Sequence, residues 1–252
     1  MTFLSPPRGD QMKALIIAAG GSTRLRPLTS KVPKTLLNVG ERKIIDLILD
    51  PLISLGMDIF IVTGYYGEKV KRYVKKNYEW NISFIHNSDW REGNGISVLR
   101  SEKYLKKEDK FLLLMSDHVF NPGFLRDFID LDPQECYLCV DKDLKNVSEL
   151  EEATKVYIEK DRILDIGKEI SYYNAVDCGV FLTTPYIFDV LKENTGIEKT
   201  VNSAMKKLSS EGNLYAYDIT GNFWIDIDTE KDLRMLYELV KTYGWDNFQT
   251  YK

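Results

Sequence analysis

Apolar residues along this chain repeat with two different periods. In the first half, short unbroken apolar runs cover residues 14–18, 59–63, 82–85 and 111–115. Their length is that of strands buried on both faces. Between them, apolar residues recur at helical spacing over 43–55, 67–76 and 95–105. Strand and helix alternating in this way predict an α/β fold, with a mainly parallel sheet and helices on both faces. The second half is richer in strand. Residues 136–140, 153–159, 163–166 and 174–182 read as extended, with a turn at Lys160-Asp161. Helices are expected near 186–192 and 200–208. Residues 214–219 and 223–227, flanking Gly221-Asn222, read as a β-hairpin, and an amphipathic helix over 231–243 closes the chain. With no repeat, low-complexity tract or linker, one domain over 12–252 is expected, with 1–11 as an N-terminal extension.

Composition narrows the class. The chain has 252 residues, 44% hydrophobic and 12% aromatic, which suits a packed domain rather than a disordered one. No apolar run approaches the roughly 18 residues of a membrane span. The first residues are too polar for a signal peptide, so a cytoplasmic location and no membrane partner are expected. A net charge of −4 argues against nucleic acid as a partner. Three cysteines are an odd count and fit a reducing compartment. Cys136 and Cys139 form C-x-x-C inside an apolar run, where residues three apart face opposite ways, so both read as core. Frequent lysine and glutamate with rare glutamine point to a heat-adapted source.

Charge is unevenly placed. In a chain with 38 acidic residues, positions 11–40 hold none, yet they carry Lys13, Arg24, Arg26, Lys31 and Lys34. The first apolar run enters Gly20-Gly21, where the absence of side chains lets backbone N–H groups approach phosphate oxygens. This reads as a cradle for a polyanion, most simply a nucleoside triphosphate. It is neither a P-loop nor a dinucleotide fingerprint. Acids form the complement. Asp117 ends the fourth run, at the carboxyl edge where such sheets collect ligands. In Trp224-Ile225-Asp226-Ile227-Asp228-Thr229 the period of two puts Asp226 and Asp228 on one face and the isoleucines on the other. Asp117, Asp226 and Asp228 together suit Mg²⁺, which takes carboxylates plus substrate phosphates.

The string A-A-G-G-x-x-x-R-L-x-P-L-T followed by P-K resembles the nucleotidyltransferases that join a sugar phosphate, or a related phosphate, to a nucleoside triphosphate. The likeness runs through the whole chain and implies their Rossmann-like fold. By that resemblance, about 12–130 binds nucleotide and about 131–252 binds the acceptor. Arg24 would contact the triphosphate and assist at the α-phosphate, and Lys34 would also serve the phosphates. Ala18 and Gly20 would lie beside base and ribose, in a loop continued by Gly21, Ser22 and Thr23. Ser22 stands where many members have a second glycine. Residues 87–97 correspond to the base-reading loop, which makes Asn87, Gly93, Asn94 and Ser97 candidates. An Asn94 amide suits cytosine and suits an N-cap equally.

The same resemblance puts the acceptor phosphate on Lys168, with Lys155 in the same pocket and Asn174 and Asp177 facing the acceptor. It places the metal on Asp117 and Asp226, with Asp228 as a third ligand. His118 is expected to position a ligand or pack, because a phosphomonoester is already largely dianionic at neutral pH and needs no base. The segments S-D-H, E-A-T-K-V, Y-N-A-V-D-C-G-V-F and W-I-D-I-D-T most resemble CTP:inositol-1-phosphate cytidylyltransferases. The expected substrates are therefore CTP and a phosphorylated polyol, with Mg²⁺ as cofactor and homo-oligomerisation left open. The alternatives are a choline-phosphate cytidylyltransferase, a sugar-1-phosphate thymidylyl- or guanylyltransferase, and an inactive regulatory subunit that binds sugar nucleotide.

Overall fold

The structure is a computed structural model that describes residues 11–147, 149–193 and 199–244. Its strands are β1 (Lys13–Ala18), β2 (Asn38–Val39), β3 (Arg42–Lys43), β4 (Asp58–Thr63), β5 (Ile82–His86), β6 (Phe111–Met115), β7 (His118–Phe120), β8 (Cys136–Asp141), β9 (Lys155–Glu159), β10 (Arg162–Gly167), β11 (Ala175–Thr183), β12 (Leu214–Asp218) and β13 (Trp224–Asp226). Its helices are α1 (Ile44–Ser54), α2 (Gly67–Asn77), α3 (Asn94–Arg100), α4 (Glu102–Leu105), α5 (Leu125–Ile129), α6 (Tyr186–Glu193), α7 (Val201–Ser210) and α8 (Glu230–Tyr243).

Nine strands form one mixed sheet in the order β5-β4-β1-β6-β11-β8-β12-β10-β9. From β5 to β6 all pairing is parallel. Beyond β6 the sheet turns largely antiparallel, with β12 still parallel to β8. The apolar run of β1 belongs at the centre because both its neighbours and both its faces are covered, and Ala14, Leu15 and Ile16 are fully buried. Strand order reverses between β1 and β6, since β4 and β5 build outward on one side and β6 lies on the other. A crevice opens at the carboxyl ends of strands flanking such a reversal. The glycine turn after β1 and Asp117 after β6 flank this one.

Two apolar layers cover the sheet. One packs Leu15, Ile17 and Leu113 against α3, α6 and α7, and the other packs Ala14, Ile16 and Leu112 against α1, α2 and α5. Cys136 lies in the first layer and Cys139 in the second, as their spacing requires, and Cys178 is buried too. A third cluster holds Leu25, Leu37, Val119, Ile225, Ile227, Leu236 and Val240. It ties the cationic N-terminal segment to β7, β13 and α8.

The expected hairpin over 214–227 is not formed. β12 joins the central sheet beside β8, while β13 leaves it and pairs antiparallel with β7. The turn at Gly221 (φ 86°) redirects the chain between two sheets instead of folding it back on itself. The turn forms where its composition predicts it, but the strand partner differs, because a long-range pairing with His118–Phe120 supplies the third cluster with Ile225.

Candidate active site

Five charged side chains from three distant segments meet at the crevice. Arg24 sits on a short 3-10 turn, Thr23–Leu25, anchored by buried Leu25. Lys34 opens a second such turn, Lys34–Leu36, behind Pro33 and is only 6% exposed. Asp117 follows β6 directly, and Asp226 ends β13, paired in register with His118. Asp228 precedes Thr229, whose side chain caps α8 in a reciprocal box with Asp232, and the Asp228 N–H also points at Asp232 Oδ2, 3.3 Å away. Capping thus fixes the backbone that carries Asp228.

The Lys34 ammonium lies 3.0 Å from Asp117 Oδ2 and 2.9 Å from Asp228 Oδ1, and Arg24 reaches Asp228 Oδ2 at 2.5 Å. Burial disfavours charge on Lys34, but Asp117, Asp228 and Asp226 outweigh it and hold its pKa well above the ordinary lysine value. For Asp117, burial is likewise overcome by Lys34 and His118, which keep its carboxyl far below the usual range. His118 Nδ1 lies 3.0 Å from Asp117 Oδ1 and 3.9 Å from Asp226 Oδ1. Burial would lower its pKa, yet Asp226, Asp117 and Asp177 raise it to about 9. Asp226 goes the other way: burial, with Asp117 and Asp228 adding to it, pushes it to about 7 against the pull of His118 and Lys34.

Asp226 Oδ1 is buried without a hydrogen-bond partner. Such an orphaned carboxylate oxygen is costly unless a proton or cation completes it. Donor atoms of Asp117, His118 and Asp226 lie within 4.8 Å of one another. The two carboxylates fit a hard divalent cation that also takes phosphate oxygens. Asp228, expected as a third ligand, has both carboxylate oxygens ion-paired with Lys34 and Arg24.

A cavity of about 620 Å³ is lined by Arg24, Asp117, Asp226 and Asp228 and also by Asn94, Thr154, Lys168, Asp177 and Trp224. Lys168 is half-exposed, with its ammonium 3.5 Å from Glu152. Lys155 is buried instead, donating to the carbonyls of Lys168 at 2.8 Å and Glu151 at 3.1 Å, so it braces the loop that presents Lys168. Asn174 does not face the cavity: its amide accepts from Ile158 N–H at 2.9 Å and donates to Ile158 C=O at 2.8 Å, extending the strand ladder. The Asp177 carboxylate accepts from Gly179 N–H at 2.7 Å, and burial lifts its pKa to about 6.

The expected base-reading loop is held mostly from within. Asn87 is fully buried, donating to Ser97 Oγ at 2.9 Å and accepting from Asp89 N–H at 3.0 Å. Asn94 does not cap its own helix. Gly93 (φ 113°) precedes α3, and Asn94 Oδ1 accepts from Val201 N–H at 2.8 Å, at the start of α7. The two glycines of the turn differ as well. A Cβ on Gly20 would meet nothing within 4 Å, whereas one on Gly21 would lie 3.0 Å from the Trp90 ring. Gly20 is therefore open to a ligand, and Gly21 is small to admit an indole. Trp90, Trp224 and the central placement of His118 had no signal in local sequence, because each depends on contacts between remote segments.

A nucleotidyl transferase family model matches residues 13–242, nearly the whole described chain. The chain belongs to the nucleotidyl transferase family. Among this transferase's relatives is the bifunctional IPC transferase and DIPP synthase of Aquifex aeolicus, 33% identical over 236 residues, covering 91% of this chain and 52% of the relative. The protein of that name from Rubrobacter xylanophilus is 30% identical over 244 residues, with 92% and 52% covered. The chain thus spans about half the length of these curated relatives. A solved inositol-1-phosphate CTP transferase from T. maritima superposes with a TM-score of 0.83 at 26% identity, over 92% of this chain and 96% of that one. A UDP-glucose pyrophosphorylase, at 19% identity and a TM-score of 0.79 over 92% of this chain and 99% of that one, shares the fold. The transferase has no helix, among its described residues, long and apolar enough to cross a membrane.

Proposed function

We propose that this protein transfers a cytidylyl group from CTP to 1L-myo-inositol 1-phosphate, forming CDP-inositol and pyrophosphate. The observation that carries the reading is the meeting of Arg24 and Lys34 with Asp117, Asp226 and Asp228 at the floor of a single cavity. The likeness to the solved inositol-1-phosphate CTP transferase supports the choice of acceptor.

The reaction is an in-line attack of a phosphate oxygen on the α-phosphorus, with the P–O bond to the pyrophosphate leaving group breaking. A dianionic phosphomonoester already carries the nucleophilic electron pair, so no residue need remove a proton. The barrier is repulsion between anions, lowered by fixed positive charge and by alignment. Arg24 and Lys34 neutralise the triphosphate, exchanging their present carboxylate partners for phosphate oxygens. Asp117 and Asp226 would hold Mg²⁺, which when bound screens the α-phosphate charge. His118 holds Asp117 in place through its hydrogen bond and lends Asp226 a nearby positive charge. Lys168 orients the acceptor phosphate from the outer part of the cavity, and Lys155 supports it.

Pyrophosphate release, measured with each nucleoside triphosphate against inositol 1-phosphate, choline phosphate, glucose 1-phosphate and mannose 1-phosphate, tests this. The highest kcat/KM is expected for CTP with inositol 1-phosphate. Turnover confined to another pair reassigns the substrates, and no turnover with any pair leaves a binding protein without activity.

A further inference from the structure

Asp141 and Trp224 come from different sheets, 83 positions apart, and meet at the border of the cavity, which both of them line. Asp141 closes β8 and is 8% exposed; Trp224 opens β13, two residues before Asp226. The Trp224 Nε1–H donates to Asp141 Oδ2 at 2.8 Å, while Asp141 Oδ1 accepts from Asp143 N–H at 2.8 Å. Each carboxylate oxygen therefore has a donor, and the indole N–H has an acceptor in a partly buried setting where losing it would be costly. The Trp224 ring stacks on His118, with centroids 6.2 Å apart and planes 5° from parallel. Gly179 (φ 72°) also lies against this ring, and a Cβ there would come within 2.3 Å of the imidazole. These contacts leave the His118 ring little freedom, and Asp141 supplies the hydrogen bond that fixes the polar edge of the indole, whose face packs on His118 and the core.

Trp224 forms part of the cavity border, together with the charged floor residues and Lys168. An indole there offers a flat apolar wall to the C–H face of a cyclic polyol, while the floor handles phosphate. We propose that Asp141 is a positioning residue for the acceptor, acting through its hydrogen bond to Trp224 to fix the aromatic wall. This rests on the reading that the outer cavity receives the acceptor. The bond to a buried carboxylate selects one rotamer of the indole, so removing it weakens acceptor binding and leaves the triphosphate untouched.

The test is a double-mutant cycle on the purified chain, with KM read separately for acceptor and CTP. Asp141→Ala should raise the acceptor KM at least about fivefold, keep the CTP KM within about twofold and keep kcat within about threefold. Trp224→Phe keeps a ring and deletes the N–H, so it should have a similar effect. The double variant should be no worse than either single one. Asp141→Asn retains an oxygen for the indole and should restore most of the loss. In ¹⁵N-labelled protein the Trp224 indole N–H resonance should shift in Asp141→Ala and stay near its native position in Asp141→Asn, a reading that does not depend on turnover. The proposal is overturned if the two single effects add, if the CTP KM moves instead, if Asp141→Asn is as damaging as Asp141→Ala, or if the indole resonance stays put in Asp141→Ala. Additive losses would mean that Asp141 touches the acceptor itself. If wild-type protein prefers a different phosphorylated acceptor, the assigned substrate fails while the same cycle, run with that acceptor, still decides the role of Asp141. Should no acceptor turn over, the functional reading falls and the positioning role falls with it.

Discussion

The floor of the cavity and its outer wall are built on opposite principles. On the floor, Arg24, Lys34, Asp117 and Asp228 bind one another, and Asp226 keeps an unmatched oxygen beside them. On the wall, side chains expected to meet the acceptor are largely occupied with backbone. Asn174 holds Ile158, Lys155 holds the Lys168 carbonyl, and Asp177 holds Gly179. Charge pairs on the floor can be exchanged for a charged ligand, since substrate phosphates and a cation replace like with like. Hydrogen bonds to the wall's backbone cannot be exchanged without loosening strands. The floor is thus made of residues that must let go, and the wall of residues that must not.

The sharpest way to break this contrast is to remove charge from the floor. Asp117→Asn and Asp226→Asn are each expected to lower kcat about a thousandfold with Mg²⁺ present, the scale on which losing a transition-state electrostatic contact acts. Circular dichroism and melting should show a folded protein in both. A rate within about tenfold of wild type in either variant would remove that carboxylate from the chemistry.

A smaller effect separates the wall's own members. Lys168→Ala should raise the acceptor KM about tenfold, equivalent to about 1.4 kcal/mol, with the CTP KM nearly unchanged. Asn174→Ala should do the reverse of a binding mutant: kinetics close to wild type, and a loss of about 1 kcal/mol in denaturant unfolding from its two bonds to Ile158. If Asn174→Ala raises the acceptor KM while stability holds, its place in the ladder is secondary and the acceptor reaches it.

The same contrast explains what could be read before the fold was known. Floor residues stand at strand ends or on turns, in short strings whose composition departs from the rest of the chain. The acid-free segment around Arg24 and Lys34, and the period-two run ending in Asp228, carried their meaning locally. Burial of Ile225 and Ile227 follows from that period even though β13 stops at Asp226. The parallel half of the sheet was legible for a related reason, because strands buried on both faces are apolar throughout and their crossovers are helical. Antiparallel pairing at the other end leaves no such trace. Nothing in residues 214–227 alone distinguishes a hairpin from two strands that part company, and the choice is made by β7 and β8. Wall residues suffered from this most. Whether Asn174 points at a ligand or at Ile158 depends on the register of β9 against β11, which composition does not encode. Trp90 over Gly21 was hidden likewise, since glycines that admit a ring and glycines that admit a phosphate look alike in sequence.

Ser22 offers the finest test of how the floor's turn is made. It occupies a left-handed conformation, φ 46° and ψ 55°, at the start of the Thr23–Leu25 turn. A residue with a Cβ is held there at a cost of roughly 1–2 kcal/mol, whereas glycine adopts it freely but loses more backbone entropy on folding, roughly 0.5–1 kcal/mol. The native geometry is secured through backbone atoms, because the Ser22 carbonyl accepts from Thr29 Oγ1 at 2.7 Å and from Leu25 N–H at 3.3 Å. Glycine keeps both bonds. Ser22→Gly should therefore stabilise the protein by about 0.5 kcal/mol, a rise of roughly 1–2 °C in Tm for a chain of this size. If the turn serves the triphosphate through its N–H groups alone, the CTP KM should stay within about twofold. A marked rise in that KM, with the Tm gain intact, would give the serine hydroxyl a direct hold on phosphate and make the floor less purely one of exchangeable charge.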